Sequence, residues 1–265
     1  MREIDVKEMD YVTFMAFLGE TNRPPGGKRA LKEMLDYCGV GRDDKVLDVG
    51  CNTGFCTFET ATVKRSNVIG LDLSEEMIAM ANQFRSQYDQ ATQRRVKFMV
   101  GNAKELPFED NSFDFVFSGG STFFVDDILA AVKEYRRVTK PWSFVGEMNF
   151  FYDQAPPKTL VTKVEDVLGF PITVFEKDDW VKIYTAADLE IYDCLEGQIE
   201  EVPRERIVEY VNALLGKQSD QVREASIERL TDIMEVFNEN HRYLARGTFI
   251  LRKRTIPEEP YLFAP

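Results

Sequence analysis

The sequence predicts an α/β fold in which buried parallel strands alternate with helices. Two short apolar runs, 46–49 and 67–72, are each followed by a turn and a helix-forming segment, the pattern of strands buried on both faces. A third observation is the length: 265 residues with 44% hydrophobic content fit one α/β domain with additions. We therefore expect residues 1–265 to form a single domain.

The amino-acid composition limits the kinds of partner that the protein is expected to bind. The formal net charge of −12 gives no general attraction to phosphate backbones, so no nucleic-acid partner is expected. The four cysteines lack metal-ligand spacing, which predicts reduced thiols in a cytoplasmic protein and no metal site. No signal region and no long uncharged apolar stretch is present in the sequence, so neither secretion nor membrane insertion is expected.

A two-glycine turn, Gly50 to Gly54, follows the first strand and precedes a helix start. Glycine lets a ligand approach bare backbone, and the unpaired N–H groups of a first helical turn attract a carboxylate or phosphate. Such a turn is often only a tight connection. The second strand strengthens the case, because it ends in Asp72, 24 residues after Asp48, where an acid can bind both hydroxyls of a ribose. These residues imply a nucleoside and leave the choice of cofactor open.

Three motifs in order decide that choice by resemblance. They are the runs 48–54 (DVGCNTG), 70–72 (GLD) and 101–114 (GNAKELPFEDNSFD). They resemble the successive motifs of class I S-adenosylmethionine-dependent methyltransferases, and most closely the small-molecule branch that includes ubiquinone and menaquinone biosynthesis methyltransferases. The similarity covers roughly residues 28 to 150. It implies S-adenosylmethionine as cofactor and S-adenosylhomocysteine as product.

The resemblance also implies the architecture. We expect a Rossmann-like, seven-stranded, mostly parallel sheet with helices on both faces, an antiparallel last strand and a helical insertion between strands six and seven. The N-terminal residues 1–27 are expected to cap the cofactor; the alternative is that their aromatic side chains serve only in packing. The insertion, at about 203–240, is expected to form a lid over the substrate; the alternative is that it folds away from the pocket or makes dimer contacts.

The expected cofactor residues follow the same motifs. The turn would surround the methionyl end, Asp72 would bind the ribose, and Asn102 and Ala103 would contact adenine, whereas Met77 is equally well explained by core packing. Asn52 and Asn102 depart from the family's usual Gly and Asp, but Asn tolerates positive φ and its amide oxygen can accept a hydrogen bond. The complete expected set is Asp48, Gly50, Cys51, Asn52, Gly54, Asp72, Leu73, Met77, Asn102, Ala103, Ser118 and Gly119.

The acceptor side is predicted from the ends of strands four (112–118) and five (144–150), because ligands bind outside the carboxyl ends of parallel strands. Residues 140–143 take the place of a turn that precedes strand five in the family. The substrate-binding candidates are Phe123, Asn149 and Tyr152.

The sequence offers several candidates for the residue that assists methyl transfer. Many relatives carry a His before an aspartate that resembles Asp126, and this chain has none there. The candidates for a general base are therefore His241, the only histidine, and three alternatives, Glu147, Asp153 and Tyr184. Methyl transfer from a sulfonium can also proceed by alignment alone.

The remaining elements are a helix at 160–168, a short capped helix at 185–188, strand six at 190–199, helices at 203–215 and 219–237, and a last strand that ends at 253. The predicted function is methyl transfer to an oxygen or nitrogen of a small molecule. The alternatives are a protein or RNA methyltransferase and a non-catalytic S-adenosylmethionine-binding regulatory protein. The sequence does not predict the oligomeric state.

Overall fold

The computed structural model of the chain describes residues 6, 8–20 and 23–254. The strands within this part are β1 (Lys45–Val49), β2 (Asn67–Asp72), β3 (Val96–Val100), β4 (Phe113–Ser118), β5 (Thr139–Tyr152), β6 (Glu190–Gln198) and β7 (Leu244–Arg252). The helices are α1 (Tyr11–Phe17), α2 (Gly27–Tyr37), α3 (Phe55–Lys64), α4 (Glu75–Phe84), α5 (Gln90–Arg95), α6 (Ile128–Val138), α7 (Lys158–Leu168), α8 (Lys177–Ala186), α9 (Arg204–Leu215) and α10 (Asp220–Asn240).

The strands form one sheet in the order β3-β2-β1-β4-β5-β7-β6. Strands β1 to β5 pair in parallel, whereas β7 is antiparallel, and helices flank the sheet. The helices α9 and α10 lie between β6 and β7 in the chain. The predicted Rossmann-like sheet, its antiparallel last strand and its helical insertion are thus confirmed.

The pairing register of the strands places the carboxyl ends of the central strands side by side. Val49 of β1 pairs with Leu71 of β2 on one side and with Ser118 of β4 on the other. Ser118 in turn pairs with Glu147 of β5. Because these strands are parallel, the segments that follow β1, β2 and β4 all leave the same edge of the sheet.

Local capping explains where the flanking helices begin. The Ser74 side chain accepts the Met77 N–H at the start of α4, and two glutamates occupy its first turn, where the helix dipole favours negative charge. Asp127 caps α6 in the same way, and two arginines in the last turn of α6 face its negative end. The sequence predicted both helices.

The described part of the chain divides into two compact units. The sheet unit comprises 23–150, 177–196 and 246–254, and the helical unit comprises 6, 8–20, 151–176 and 197–245. The core of the sheet unit includes Met34, Phe58, Phe117 and Met148. The single domain expected from the sequence, the cap at 1–27 and the lid role of 203–240 remain predictions.

The helical unit has an apolar core to which the N-terminal segment contributes. Phe14 is fully buried with residues of α9 and α10. The Arg229 guanidinium on α10 lies 4.2 Å from the centre of the Phe14 ring, close enough for a cation–π contact. It also donates to the Met9 carbonyl at 2.6 Å. One cationic side chain on α10 therefore fixes both α1 and the segment before it.

Two local predictions were wrong. Residues 140–143 are not a turn before strand five, because β5 already begins at Thr139; the extra residues form an irregularity in its pairing with β4. Trp142 there has a φ of 63°, and its N–H donates to the Lys253 carbonyl at 2.8 Å. The short helix predicted at 185–188 is instead the end of α8, which begins eight residues earlier at Lys177.

Within the described residues, no helix is long and apolar enough to cross a membrane. The same part of the chain holds no group of three or more His, Cys, Asp or Glu side chains arranged to bind a metal ion.

Candidate active site

The glycine turn after β1 adopts the conformation that its sequence predicts. Gly50, Asn52 and Gly54 have φ values of 69°, 49° and 92°, all in the left-handed region that glycine and asparagine tolerate best. Gly54 is the N-cap of α3 and provides no side-chain cap, so the first-turn N–H groups can bind a ligand. The turn is therefore a backbone site for a negatively charged or polar group.

Asp72 is fixed beside this turn by two backbone donors. Its Oδ2 accepts the Asn52 N–H at 2.8 Å, and its Oδ1 accepts the Ser74 N–H at 3.0 Å. Each carboxylate oxygen has a further lone pair, and the side chain is half-buried. A vicinal diol such as a ribose can donate both hydroxyl protons to this group.

Asp48 lies at the same sheet edge but is almost completely buried, with 1% of its surface exposed. Desolvation raises its pKa to about 7, although the Thr57 hydroxyl, which donates to it at 2.6 Å, opposes the rise; the nearby charge of Asp72 adds to it. Burial also raises the pKa of the Cys51 and Cys56 thiols. The two thiols are therefore protonated at neutral pH. Asp48, which lies in β1 just before the turn, titrates near neutrality.

The predicted adenine side holds both exposed and buried residues. Leu73 is 72% exposed, whereas Met77 is 4% exposed and packs in the protein core. The Asn102 side-chain oxygen accepts the Lys104 N–H at 3.0 Å, which leaves one lone pair for a ligand. Ala103 is half-buried beside it.

The loop after β4 is fastened to the glycine turn. The Ser121 hydroxyl donates to the Val49 carbonyl at 2.8 Å and lies 2.9 Å from the Ser118 hydroxyl. A Cβ at Gly50 would come within 1.9 Å of the Ser121 Oγ, so glycine is required there. Gly119 is half-buried in this loop, and Phe123 follows it.

Behind this loop is a buried polar cluster, which we define as Thr122, Tyr135, Glu147, Asn149 and Tyr184; each is at most 1% exposed. The Asn149 amide donates to Glu147 at 3.1 Å and to the Tyr184 hydroxyl at 2.8 Å. Desolvation raises the pKa of Glu147 to about 8, although its hydrogen bonds with Asn149 and Thr122 lower it in part. Three predicted site residues thus meet inside the sheet unit.

The other two candidates lie in the helical unit. The Tyr152 hydroxyl donates to the Asn240 side-chain oxygen at 3.2 Å. Burial lowers the pKa of His241, an effect that the charge of Glu201 opposes, and the buried Nδ1 of His241 has no hydrogen-bond partner. The imidazole is therefore neutral at pH 7.

Sequence reasoning did not find Thr122 or Tyr135. Tyr135 carried a weak signal, because it falls on the apolar face of α6. The Thr122 hydroxyl carried none, since its partners Tyr135 and Glu147 are distant in the chain.

Comparison with known proteins supports the same reading. Residues 47–145 match the model of a family described as a methyltransferase domain. Demethylmenaquinone methyltransferase of Staphylococcus aureus is 41% identical over 120 residues, which are 44% of this chain and 46% of that protein. Residues 47–145 are therefore a methyltransferase domain, and the chain resembles the class I S-adenosylmethionine-dependent methyltransferases.

An uncharacterized protein of Haemophilus influenzae is 29% identical over 188 residues, which are 70% of this chain and 74% of that protein. The match to the demethylmenaquinone methyltransferases spans less than half of their length. These matches therefore do not identify the acceptor.

Two solved structures share the fold. The MccD protein superposes with a TM-score of 0.76 at 22% identity, covering 88% of this chain and 100% of MccD. Phosphoethanolamine N-methyltransferase 2 of Haemonchus contortus, in complex with S-adenosylhomocysteine, gives a TM-score of 0.70 at 20% identity, covering 92% of this chain and 57% of that one.

S-adenosylmethionine fits the residues of the methyltransferase site. The Asp72 carboxylate is held by two backbone donors and has further lone pairs for the hydroxyls of a ribose, and exposed Leu73 adjoins it. The uncapped N-terminus of α3 suits the methionyl carboxylate, and buried Asp48 offers a carboxylate to a cationic group.

Proposed function

We propose that this methyltransferase acts on an oxygen or nitrogen of a small-molecule acceptor. The observation that carries the proposal is the carboxylate of Asp72, held by two backbone N–H groups beside the left-handed glycine turn. S-adenosylmethionine supplies a methyl group on a sulfonium, which is a good leaving group for in-line displacement. The residues of the site then need mainly to align the acceptor, an effect that can contribute about 7–11 kcal/mol.

Phe123, Asn149 and Tyr152 are proposed to bind the acceptor. Of the candidate bases, His241 suits the role best, because its lowered pKa leaves a neutral imidazole at pH 7 that can accept a proton. Burial keeps the Tyr184 phenol protonated by raising its pKa. An amine acceptor that is already neutral needs no base.

Charge and relatives both support a small acceptor. The net charge of −12 disfavours RNA, and the names of the matched relatives refer to demethylmenaquinone and phosphoethanolamine. A cytoplasmic location is part of the proposal. The alternatives are methylation of a protein or RNA and a non-catalytic cofactor-binding role.

The test is a transfer assay with S-adenosylmethionine that carries a labelled methyl group. Separate reactions contain phenols and other hydroxyl compounds, primary and secondary amines, a protein mixture, or RNA. We expect label in the first or second set only. Label confined to protein or RNA would contradict the small-molecule proposal, and intact cofactor binding without any transfer would support the regulatory alternative.

His241→Asn tests the base within the same assay. We expect transfer to hydroxyl acceptors to fall about 100-fold or more, with the affinity for S-adenosylhomocysteine unchanged. An unaltered rate would exclude His241 as the base.

A further inference from the structure

The hydrogen bonds of Glu147 argue against direct contact with an acceptor. The residue has no exposed surface, and both carboxyl oxygens have hydrogen-bond partners within the cluster: Thr122 donates to Oε1 at 3.2 Å and Asn149 to Oε2 at 3.1 Å. A base must reach the proton that it removes. The position of Glu147 is suited to holding neighbouring groups instead.

One of those neighbours belongs to the loop after β4. Thr122 uses its side chain to contact Glu147, while its backbone N–H donates to the Ser118 hydroxyl at 3.3 Å. The Ser118 hydroxyl contacts Ser121, which reaches the Val49 carbonyl. Two consecutive residues of the loop are thus held: Thr122 by the buried carboxyl and Ser121 by the last residue of β1.

The groups that face Glu147 from the packed elements are uncharged. Tyr135 on α6 lies 3.3 Å from the Thr122 hydroxyl, and Tyr184 on α8 bonds Asn149; burial raises the pKa of both phenols. Among the described residues, Glu147 forms no ion pair with a Lys, Arg or His side chain. The carboxyl is therefore held as a hydrogen-bonding group among neutral partners.

We infer that Glu147 is a positioning residue for the cofactor site: through Thr122 it fixes the loop 118–121 over Gly50. The loop and the glycine turn then keep a single arrangement around the methionyl end of the cofactor. The inference rests on the cofactor assignment within the proposed function and is independent of which acceptor is methylated. It assigns to Glu147 a role other than that of a base.

The experiment measures S-adenosylhomocysteine affinity by calorimetry in the full-length protein and variants. Thr122→Val keeps the shape of the side chain but removes the hydroxyl that bonds Glu147, and we expect about three- to tenfold weaker binding. Thr122→Ser restores the hydroxyl and is expected to bind like the wild type. Glu147→Leu should weaken binding as Thr122→Val does, and the double variant should bind no more weakly than either single variant, because both remove the same contact.

Thr139→Val is the matched control. Thr139 is also fully buried, and its hydroxyl donates to the Tyr135 carbonyl at 2.7 Å, but it lies at the opposite end of β5. The control should lower thermal stability without changing affinity. If Thr122→Val binds like the wild type, or if Thr139→Val weakens binding equally, the positioning role is wrong. If the folded wild type binds neither S-adenosylmethionine nor S-adenosylhomocysteine, it is the function assignment that fails.

Discussion

Two buried carboxyls, Asp48 on β1 and Glu147 on β5, differ in what surrounds them. Asp48 lies next to a second acid, whose charge raises its pKa further. Glu147 lies among hydroxyl, amide and phenol groups, and its pKa rises chiefly through burial. The surroundings of Asp48 suit a cationic ligand, whereas those of Glu147 suit a neutral, permanent hydrogen-bonding role. Burial alone does not distinguish a ligand-binding acid from a structural one; the charge of its neighbours does.

The largest effect should come from the acid beside Asp48. Asp72→Ala removes the acceptor of the ribose hydroxyls and of the Asn52 N–H, so we expect at least about tenfold weaker cofactor binding, since hydrogen bonds to charged groups contribute ~1.5–3 kcal/mol. Calorimetric titration with S-adenosylhomocysteine measures the change. Asp89→Ala, which removes an exposed cap of α5, is the control and should leave affinity unaltered. Equal binding by Asp72→Ala would refute the ribose assignment.

The second expected effect is a pH dependence of cofactor affinity, which we assign to Asp48. A bound cation favours the ionised carboxyl, and the unliganded carboxyl has a pKa of about 7, so affinity for S-adenosylmethionine should rise between pH 6 and pH 8, by at most about tenfold per unit. Titrations at pH 7 in buffers of different ionisation enthalpy should detect proton release. Asp48→Asn should abolish both the release and the slope, and a flat wild-type profile would show that no cation is near Asp48.

The third expected effect is on the stability of the folded protein, and it tests Glu147 rather than Asp48. Folding raises the pKa of Glu147 from 4.5 to about 8, so the native state holds a proton that the unfolded chain has released. Stability therefore falls as pH rises through this window. Glu147→Gln removes this loss, and its melting temperature should exceed that of the wild type by at least about 2 °C at pH 8.5.

That advantage should shrink towards pH 5, where the unfolded chain also begins to hold the proton. The exposed Glu105→Gln serves as the control, with no pH-dependent difference expected. A constant or inverted difference for Glu147→Gln would mean that the carboxyl is ionised in the native protein.

The smallest effect should come from the adenine side. Asn102→Ala removes one neutral acceptor, which is also bonded to the Lys104 N–H, and should weaken S-adenosylhomocysteine binding about two- to tenfold. Asn102→Asp retains an acceptor and should stay within about threefold of the wild type. Equal losses in the two variants would show that local structure, and not adenine recognition, sets the effect.

The sequence predicted those features that depend on neighbouring residues. The strands around the glycine turn, the positive φ of Asn52 and the Ser74 cap all follow from local residue preferences. The helix α8 was missed although Trp180 and Tyr184, one turn apart, are both buried. Its apolar stripe is narrow among charged residues, so the periodicity was weak.

Other features depend on contacts between distant parts of the chain. The left-handed Trp142 is stabilised by pairing with Lys253, which local preference cannot indicate. The buried cluster unites residues of the loop after β4 with residues of α6, β5 and α8. Glu147 and Tyr184 were selected as acid–base candidates, but their common partners became evident only once the fold brought them together.

The division of the chain also bears on its synthesis. The helical unit is assembled from three separate segments, and the last of them ends at residue 245. A nascent chain that stops before α10 lacks Arg229 and the other α10 side chains that pack with Phe14, so this unit cannot complete its core on the ribosome until nearly the whole protein has emerged. Such long-range closure slows folding and prolongs the exposure of apolar surface. Truncations from the C-terminus should therefore remove the order of the N-terminal helix as well as that of the segment deleted.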